Sequence, residues 1–346
     1  MNLKKSLIIA VVISIIGLTA WELYWRSQGF RTDLDDNEAL WAVQRHRVEK
    51  ATDKDILLMG SSRVLFDMQL DEWQEQSGIR PIQLACVGSS PLPIFHDVVN
   101  NTTFNGTIVV GVTPGLFFSS TSPDIQPWQW PQSRVDYYKK RTYAQIANHF
   151  LSIPLQKSLA FISEVQGIDG IKLKELLGKI NLGTRGVQTE PPFHEFGEIF
   201  HVDRNLTMKP ITVTDTAYAN SIIRVWQFFG KMAASGPPPD KAGTMKFFLE
   251  DLKTFQARGG HVVLVRCPSS GTLRAAENMG LPRAQFWDEL VKEAKVKAYH
   301  FEDYDQLKDL KCPEESHLSA EDARFFTTEI VKLMKADGAL PNSKTN

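Results

Sequence analysis

Cys86, Cys267 and Cys312 are the only cysteines in 346 residues, too few and too scattered for the disulfide framework of a small secreted domain. Outside the cytoplasm one bridge is open to them. Cys267 and Cys312 make the better pair, because both stand on loops at the same end of the sheet expected below. No Cys-x-x-Cys or His-Glu-x-x-His spacing occurs, so a zinc site has little support, and no metal or cofactor is expected. Charge of one sign is lacking too: 39 Lys+Arg against 40 Asp+Glu leave a net charge of -1, which provides no basic footprint for nucleic acid. Beyond the first 25 residues no apolar run is long enough to cross a bilayer, and there is no internal repeat. What remains, 42% hydrophobic and 23% charged, is ordinary globular material, long enough for one large α/β domain or two small ones.

The N-terminus differs from the rest. The stretch SLIIAVVISIIGLTAWELYW, Ser6 to Trp25, holds roughly 20 mostly apolar residues, about one bilayer crossing. Lys4 and Lys5 precede it, and Trp21, Tyr24 and Trp25 form an aromatic belt at its far end. Both features favour a cytoplasmic N-terminus with the bulk of the chain outside. Leu18-Thr19-Ala20 is a poor match to the small-x-small cleavage pattern, so residues 1–25 read as an uncleaved anchor rather than a removed signal peptide. Residues 26–54 are charged and mixed, and read as a membrane-proximal helix or spacer that sets distance from the bilayer.

From Asp55 a strand-and-helix rhythm sets in. DILLMG reads as a buried strand, Gln69 to Gln76 as a helix, PIQLAC as a second strand, Ile94 to Val99 as a helix and GTIVVGV as a third strand. The rhythm breaks after Pro114. Residues 118–242 read as an inserted cap, rich in Pro, Ser and aromatics, with helical pieces at Tyr143 to Gln166 and Ala217 to Ala234. It resumes with an amphipathic helix ending at Gly259-Gly260, a fourth strand in HVVLVRCP, a helix from near Pro282, and a final helix with Ser319 as N-cap. The alternation predicts an α/β fold: a three-layer α/β/α sandwich on a parallel sheet, spanning residues 55–338, followed by a loose tail at 339–346.

In an open parallel sheet the ligand site lies beyond the carboxyl ends of the strands. Gly60-Ser61-Ser62-Arg63 follows the first strand, Gly88 the second and Gly111-Val112-Thr113-Pro114 the third; Glu314-Glu315-Ser316-His317 comes just before the last helix. A serine hydroxyl becomes a nucleophile when a base takes its proton and a carboxylate holds the base's other nitrogen. Ser62, His317 and Glu314, with Glu315 as the alternative acid, are the candidate triad. A serine at the first turn of a helix also has backbone N–H groups aimed at a developing oxyanion, and Ser61 is then a small turn residue that permits the bend.

These four blocks, in this order, resemble the SGNH or GDSL-type hydrolases. Gly60-Ser61-Ser62 resembles their Gly-Asp-Ser turn with Ser61 in the aspartate place, Gly88 their conserved glycine, and Glu314-x-x-His317 their Asp-x-x-His. Thr113 and Pro114 replace the third block's Asn and Asp. The resemblance implies a flavodoxin-like fold, Ser62 as nucleophile, His317 as base and an oxyanion hole from Ser62, Gly88 and Thr113. A Gly-Ser-Ser turn behind an N-terminal anchor is similar to a narrower group, the envelope O-acylation proteins of teichoic acid and alginate modification. That likeness implies acyl transfer, such as O-acetylation, onto an extracytoplasmic polysaccharide through an acyl-serine. It also implies a multi-spanning membrane-bound O-acyltransferase as partner, and a single-pass location in a bacterial inner membrane with the main domain periplasmic. A carbohydrate or lipid esterase with the same triad, and a non-catalytic scaffold of an acylation complex, are the alternatives.

Other residues carry weaker signals. Arg266, at the end of the fourth strand, is placed to grip a substrate anion or to form a structural ion pair, and Arg63 reads as a surface cap or pair. Trp128 and Trp130 present themselves for stacking on sugar rings, against the alternative of filling a small core. His96, His149, His194 and His201 have no partners at ligand spacing and read as structural.

Overall fold

The computed structural model describes residues 3–162 and 191–341. They fall into two compact units. One joins the chain up to Asp36 with the segment beginning at Thr142; the other holds Asn37–Arg141 and everything from Thr189 onward.

The smaller unit is built on α1 (Leu3–Ser27), 25 residues with none buried, long and apolar enough to cross a membrane. Its other described helix, α8 (Tyr143–Ser158), opens on a capping box between Thr142 and Gln145 and runs into a 3-10 turn at Ala160–Ile162. The sequence places this helix through Gln166; residues 163–166 lie outside the described ones, as do 342–346 of the expected tail.

The larger unit is a five-stranded parallel sheet in the order β2-β1-β3-β6-β7. Its strands are β1 (Ile56–Met59), β2 (Ile82–Gln83), β3 (Thr107–Gly111), β6 (His261–Arg266) and β7 (Lys297–His300); a separate antiparallel hairpin pairs β4 (Gly197–Ile199) with β5 (Leu206–Met208). Strand alternation divides the sheet between two cores. Leu57, Met59, Ile108, Val110, Val262 and Leu264 enter one apolar cluster with Trp41, Phe95, Phe248 and Leu252. Ile56, Leu58, Val109 and Val263 point to the other face and are equally buried, so both faces of the sheet are covered.

Four expectations change. Residues 26–54 are not a spacer throughout: α2 (Glu38–Val48), capped by Asn37, belongs to the sheet unit, with Trp41 fully buried and its indole N–H donating to Leu84 O at 3.0 Å. The second strand shrinks to two residues, because Leu84 and Cys86 leave the ladder to bond Leu58 O and Gly60 O singly. A fifth strand, β7, was hidden in the polar VKAYH, whose edge position needs only two buried residues. The stretch 118–242 is not one body: α7 (Gln126–Lys140) and the helix Thr216–Ala234 lie in the sheet unit, whereas α8 does not.

Between β1 and β2 come α3 (Ser62–Asp67) and α4 (Leu70–Ser77), between β2 and β3 lies α5 (Leu92–Asn101), and the short α6 (Pro114–Phe117) follows β3. α3 approaches the sheet closely: Val64 sits over Gly60 and Gly111, where an added Cβ would come within 2.3 Å and 2.1 Å of its methyl group. Any larger residue at either position would push α3, and Ser62 with it, off the strand ends.

Candidate active site

Ser61 is the N-cap of α3; its hydroxyl accepts from Arg63 N at 3.3 Å and meets the Thr113 hydroxyl at 2.7 Å. Either hydroxyl can donate in this pair, and when Ser61 donates, the Thr113 O–H is left as a donor. Ser62 is the first helical residue, where backbone N–H groups have no partner inside the helix.

The far C-terminal loop meets this turn. His317 Nε2 lies 2.8 Å from Ser62 Oγ, and His317 Nδ1 lies 2.9 Å from Glu314 Oε1. The same carboxylate oxygen accepts the His317 backbone N–H at 2.6 Å, which fixes both the ring and the chain that carries it. Glu314 and His317 are buried, and Ser62 is half-buried. The arrangement favours the tautomer with the proton on Nδ1, leaving Nε2 to accept from the serine. Glu315 does not bond the histidine: it sits at φ 72° and turns its carboxylate away, to the Thr272 hydroxyl and Leu273 N.

Four residues of the assembly escaped the sequence. Trp226, from the helix Thr216–Ala234, donates its indole N–H to Glu314 Oε2, the oxygen the histidine leaves free. Phe66, Phe196 and Trp226 surround the imidazole, with ring centroids 4.5, 5.3 and 5.9 Å from it. Phe196 is delivered by the β4–β5 hairpin. Asp67, fully buried at the end of α3, accepts Leu318 N at 2.9 Å through one oxygen, while its other has no hydrogen-bond partner among the described residues. Burial pushes its carboxyl well above the usual range, with nearby Glu314 adding to the shift against Arg63 and Arg266. A charged residue inside the apolar run RVLFDM was the available signal for Asp67. Trp226 had none, since it lies close to the stripe of Ala219, Ile222 and Val225 and reads as core.

Gly88 adopts φ 57°, and a Cβ there would meet the Trp130 ring at 3.0 Å. Its loop is held from behind by Arg204, which donates to Gln83 O and Ala85 O at 3.0 and 2.8 Å. Trp130, 45% exposed, therefore stands beside the glycine. Trp128 does not share its role: it is buried, edge-on to Phe247 at 5.2 Å, and fills the core.

Arg266 is likewise withdrawn from any substrate. It is buried and bonds Glu277 at 2.5 Å, and Arg63, also buried rather than on the surface, holds the other Glu277 oxygen at 2.7 Å. Burial alone would raise the Glu277 carboxyl, but Arg266 and Arg63 hold it down to about 2. Cys86, Cys267 and Cys312 are free and buried, so the expected Cys267–Cys312 bridge is not formed; burial raises the Cys267 and Cys312 thiols well above their ordinary range. His96 has a partner after all, Asp251 at 2.9 Å. Among the described residues no three His, Cys, Asp or Glu side chains gather as a metal site requires.

Comparison with family models, with curated proteins and with solved structures finds no match in any of the three. The site's chemistry must be read from its own geometry. A hydroxyl, an imidazole and a carboxylate in series can transfer a proton and release a nucleophilic oxygen.

Proposed function

We propose that this protein is a membrane-anchored serine acyltransferase of the SGNH type, which moves an acyl group, such as acetyl, onto a polysaccharide hydroxyl outside the cytoplasm. The observation that carries the reading is the 2.8 Å approach of His317 Nε2 to Ser62 Oγ with Glu314 on the opposite ring nitrogen. The strand order β2-β1-β3-β6-β7 adds support, since it is the flavodoxin-like doubly wound order whose switch point lies at the end of β1 and β3.

In this mechanism His317 takes the Ser62 proton as Oγ attacks the donor carbonyl. The tetrahedral oxyanion is stabilised by the Ser62 and Gly88 N–H groups, with the Thr113 hydroxyl as a third donor in place of the asparagine amide of the related hydrolases. Collapse expels the leaving group, which takes the proton from His317, and leaves an ester on Ser62. A sugar hydroxyl then gives its proton to His317 and attacks the acyl carbon; a second collapse returns that proton to Ser62. Trp130, exposed beside Gly88, offers the sugar ring a stacking face. The helix Thr216–Ala234 covers the histidine through Trp226. A multi-spanning O-acyltransferase in the same bacterial inner membrane would supply the acyl group to the periplasmic domain.

The test uses the full chain in detergent with p-nitrophenyl acetate, with and without an oligosaccharide, alongside Ser62→Ala. Phenolate release with acetyl appearing on the oligosaccharide supports the transferase. Release that ignores the oligosaccharide identifies an esterase. Unchanged polymer acylation in cells carrying Ser62→Ala would eliminate both and leave a scaffold.

A further inference from the structure

α8 is amphipathic in the wrong sense for a helix packed in water. Its buried side chains are polar, His149 and Gln156, and Gln156 Oε1 accepts Asp35 N at 3.1 Å. Its exposed stripe is apolar: Tyr143, Ala147, Phe150, Leu151, Pro154 and Leu155 recur at i, i+4, i+7, i+8, i+11 and i+12, the spacing of one helical face. That face lies opposite His149 and Gln156, and Tyr143, Phe150, Leu151 and Leu155 expose between 49% and 92% of their surface.

The end of α8 is tied to the anchor. Arg26 donates to Ser158 O at 3.1 Å, and Glu22 accepts Ala160 N and Phe161 N at 3.0 and 3.3 Å. Glu22 stands within the aromatic belt of α1, where Trp21, Tyr24 and Trp25 pack on one another, the composition that marks a membrane–water boundary. The apolar stripe therefore starts from the level of the lipid headgroups. A carboxylate in the last part of an apolar span, satisfied by two backbone N–H groups of another segment, makes that junction a fixed one.

We infer that α8 is a second membrane element, an interfacial helix whose Tyr143–Leu155 stripe rests in the outer headgroup and upper acyl region beside α1. Such helices sink about 5–10 Å into that boundary. Lipid is the occupant the observations favour, because the stripe starts beside a helix long and apolar enough to cross a membrane, none of whose residues is buried. The inference is independent of the chemistry at Ser62.

The test is depth-dependent quenching on the full chain reconstituted in phosphatidylcholine–phosphatidylglycerol vesicles. The native cysteines are buried, so an environment-sensitive NBD label can be placed selectively at Leu151→Cys or Leu155→Cys on the stripe, at Gln145→Cys on the opposite exposed side, and at Ile13→Cys in α1. The labels at 151 and 155 are expected to shift to the blue and lose most of their emission to nitroxide lipids spin-labelled near the headgroup. The label at 145 is expected to do neither, and the label at 13 to respond best to deep nitroxides. Labels at 151 and 155 that behave like 145, while 13 is quenched, would overturn the inference and assign the stripe to a protein surface. Disulfide-linked dimers of unlabelled Leu151→Cys would overturn it in favour of a second copy. An unquenched label at 13 would remove its premise.

Discussion

Two buried acid–base assemblies flank α3, and they are built for opposite purposes. On one side His317 stands between Ser62 and Glu314, sleeved by Phe66, Phe196 and Trp226. On the other, Glu277 is clamped between Arg63 and Arg266. The first joins a hydroxyl, an imidazole and a carboxylate, groups that can pass a proton along hydrogen bonds; the second sets a carboxyl held down at about 2 between two guanidinium groups. Aromatic rings surround the pair that the proposed mechanism uses to shift a proton, and fixed charges lock Glu277. Burial alone therefore does not mark a reactive acid. What distinguishes the first assembly is a neighbour able to give or take a proton, the half-buried Ser62, on which the proposed mechanism rests.

The comparison breaks most visibly through His317. His317→Ala should cut ester turnover by about 10³-fold or more in steady-state assays, with a small change in Tm; a large loss of Tm with activity retained would make the histidine structural. Glu277→Gln should do the reverse. Removing one partner of a buried pair costs about 3–5 kcal/mol, and the loss should appear as a lower urea midpoint. The sign follows from the depressed carboxyl: its contribution is present above the ordinary value of 4.5 and disappears as pH falls towards about 2. The variant's acid unfolding profile should therefore be flatter across that window.

Trp226→Phe sharpens the contrast inside the first assembly. It keeps an aromatic ring but removes the donor on Glu314 Oε2, and a hydrogen bond to a charged group is worth about 1.5–3 kcal/mol. Turnover is expected to fall about 10- to 100-fold with KM unchanged. An unaltered kcat would reduce Trp226 to packing. Asp67→Asn should have the smallest effect, within about 1 kcal/mol of stability, because the amide oxygen still accepts Leu318 N. Its sign depends on pH. A carboxyl raised by burial contributes most below its unfolded value and loses that contribution as pH rises through its folded one. The asparagine should thus gain on the parent in urea titrations between acid and neutral pH.

The legible parts of the fold were those set by local pattern. Strands β1, β3 and β6 are continuous apolar runs because both faces of the sheet are covered, and Ser319 caps the last helix as expected, accepting Asp322 N at 3.1 Å. The spacing of Ser62, Glu314 and His317 in their blocks was equally visible. β7 was not, because an edge strand with two buried residues leaves no apolar run to read. The choice of Glu314 over Glu315 depended on a backbone turn at φ 72°, and the clamp on Glu277 on residues 214 and 11 positions away from it. Trp128 and Trp130, two residues apart on α7, cannot share a helix face; the helical period alone separates the core residue from the exposed one.

One six-residue helix touches both ends of the Ser62–His317 contact. α3 carries Ser62 at its first position and Asp67 at its last, and Asp67 grips the residue after His317. If the sheet twists or α3 shifts on Val64, hydroxyl and imidazole are carried along together and their separation is conserved. Alignment at this centre is thus in part a local property of α3, completed by Glu314 and Trp226 from distant parts of the chain.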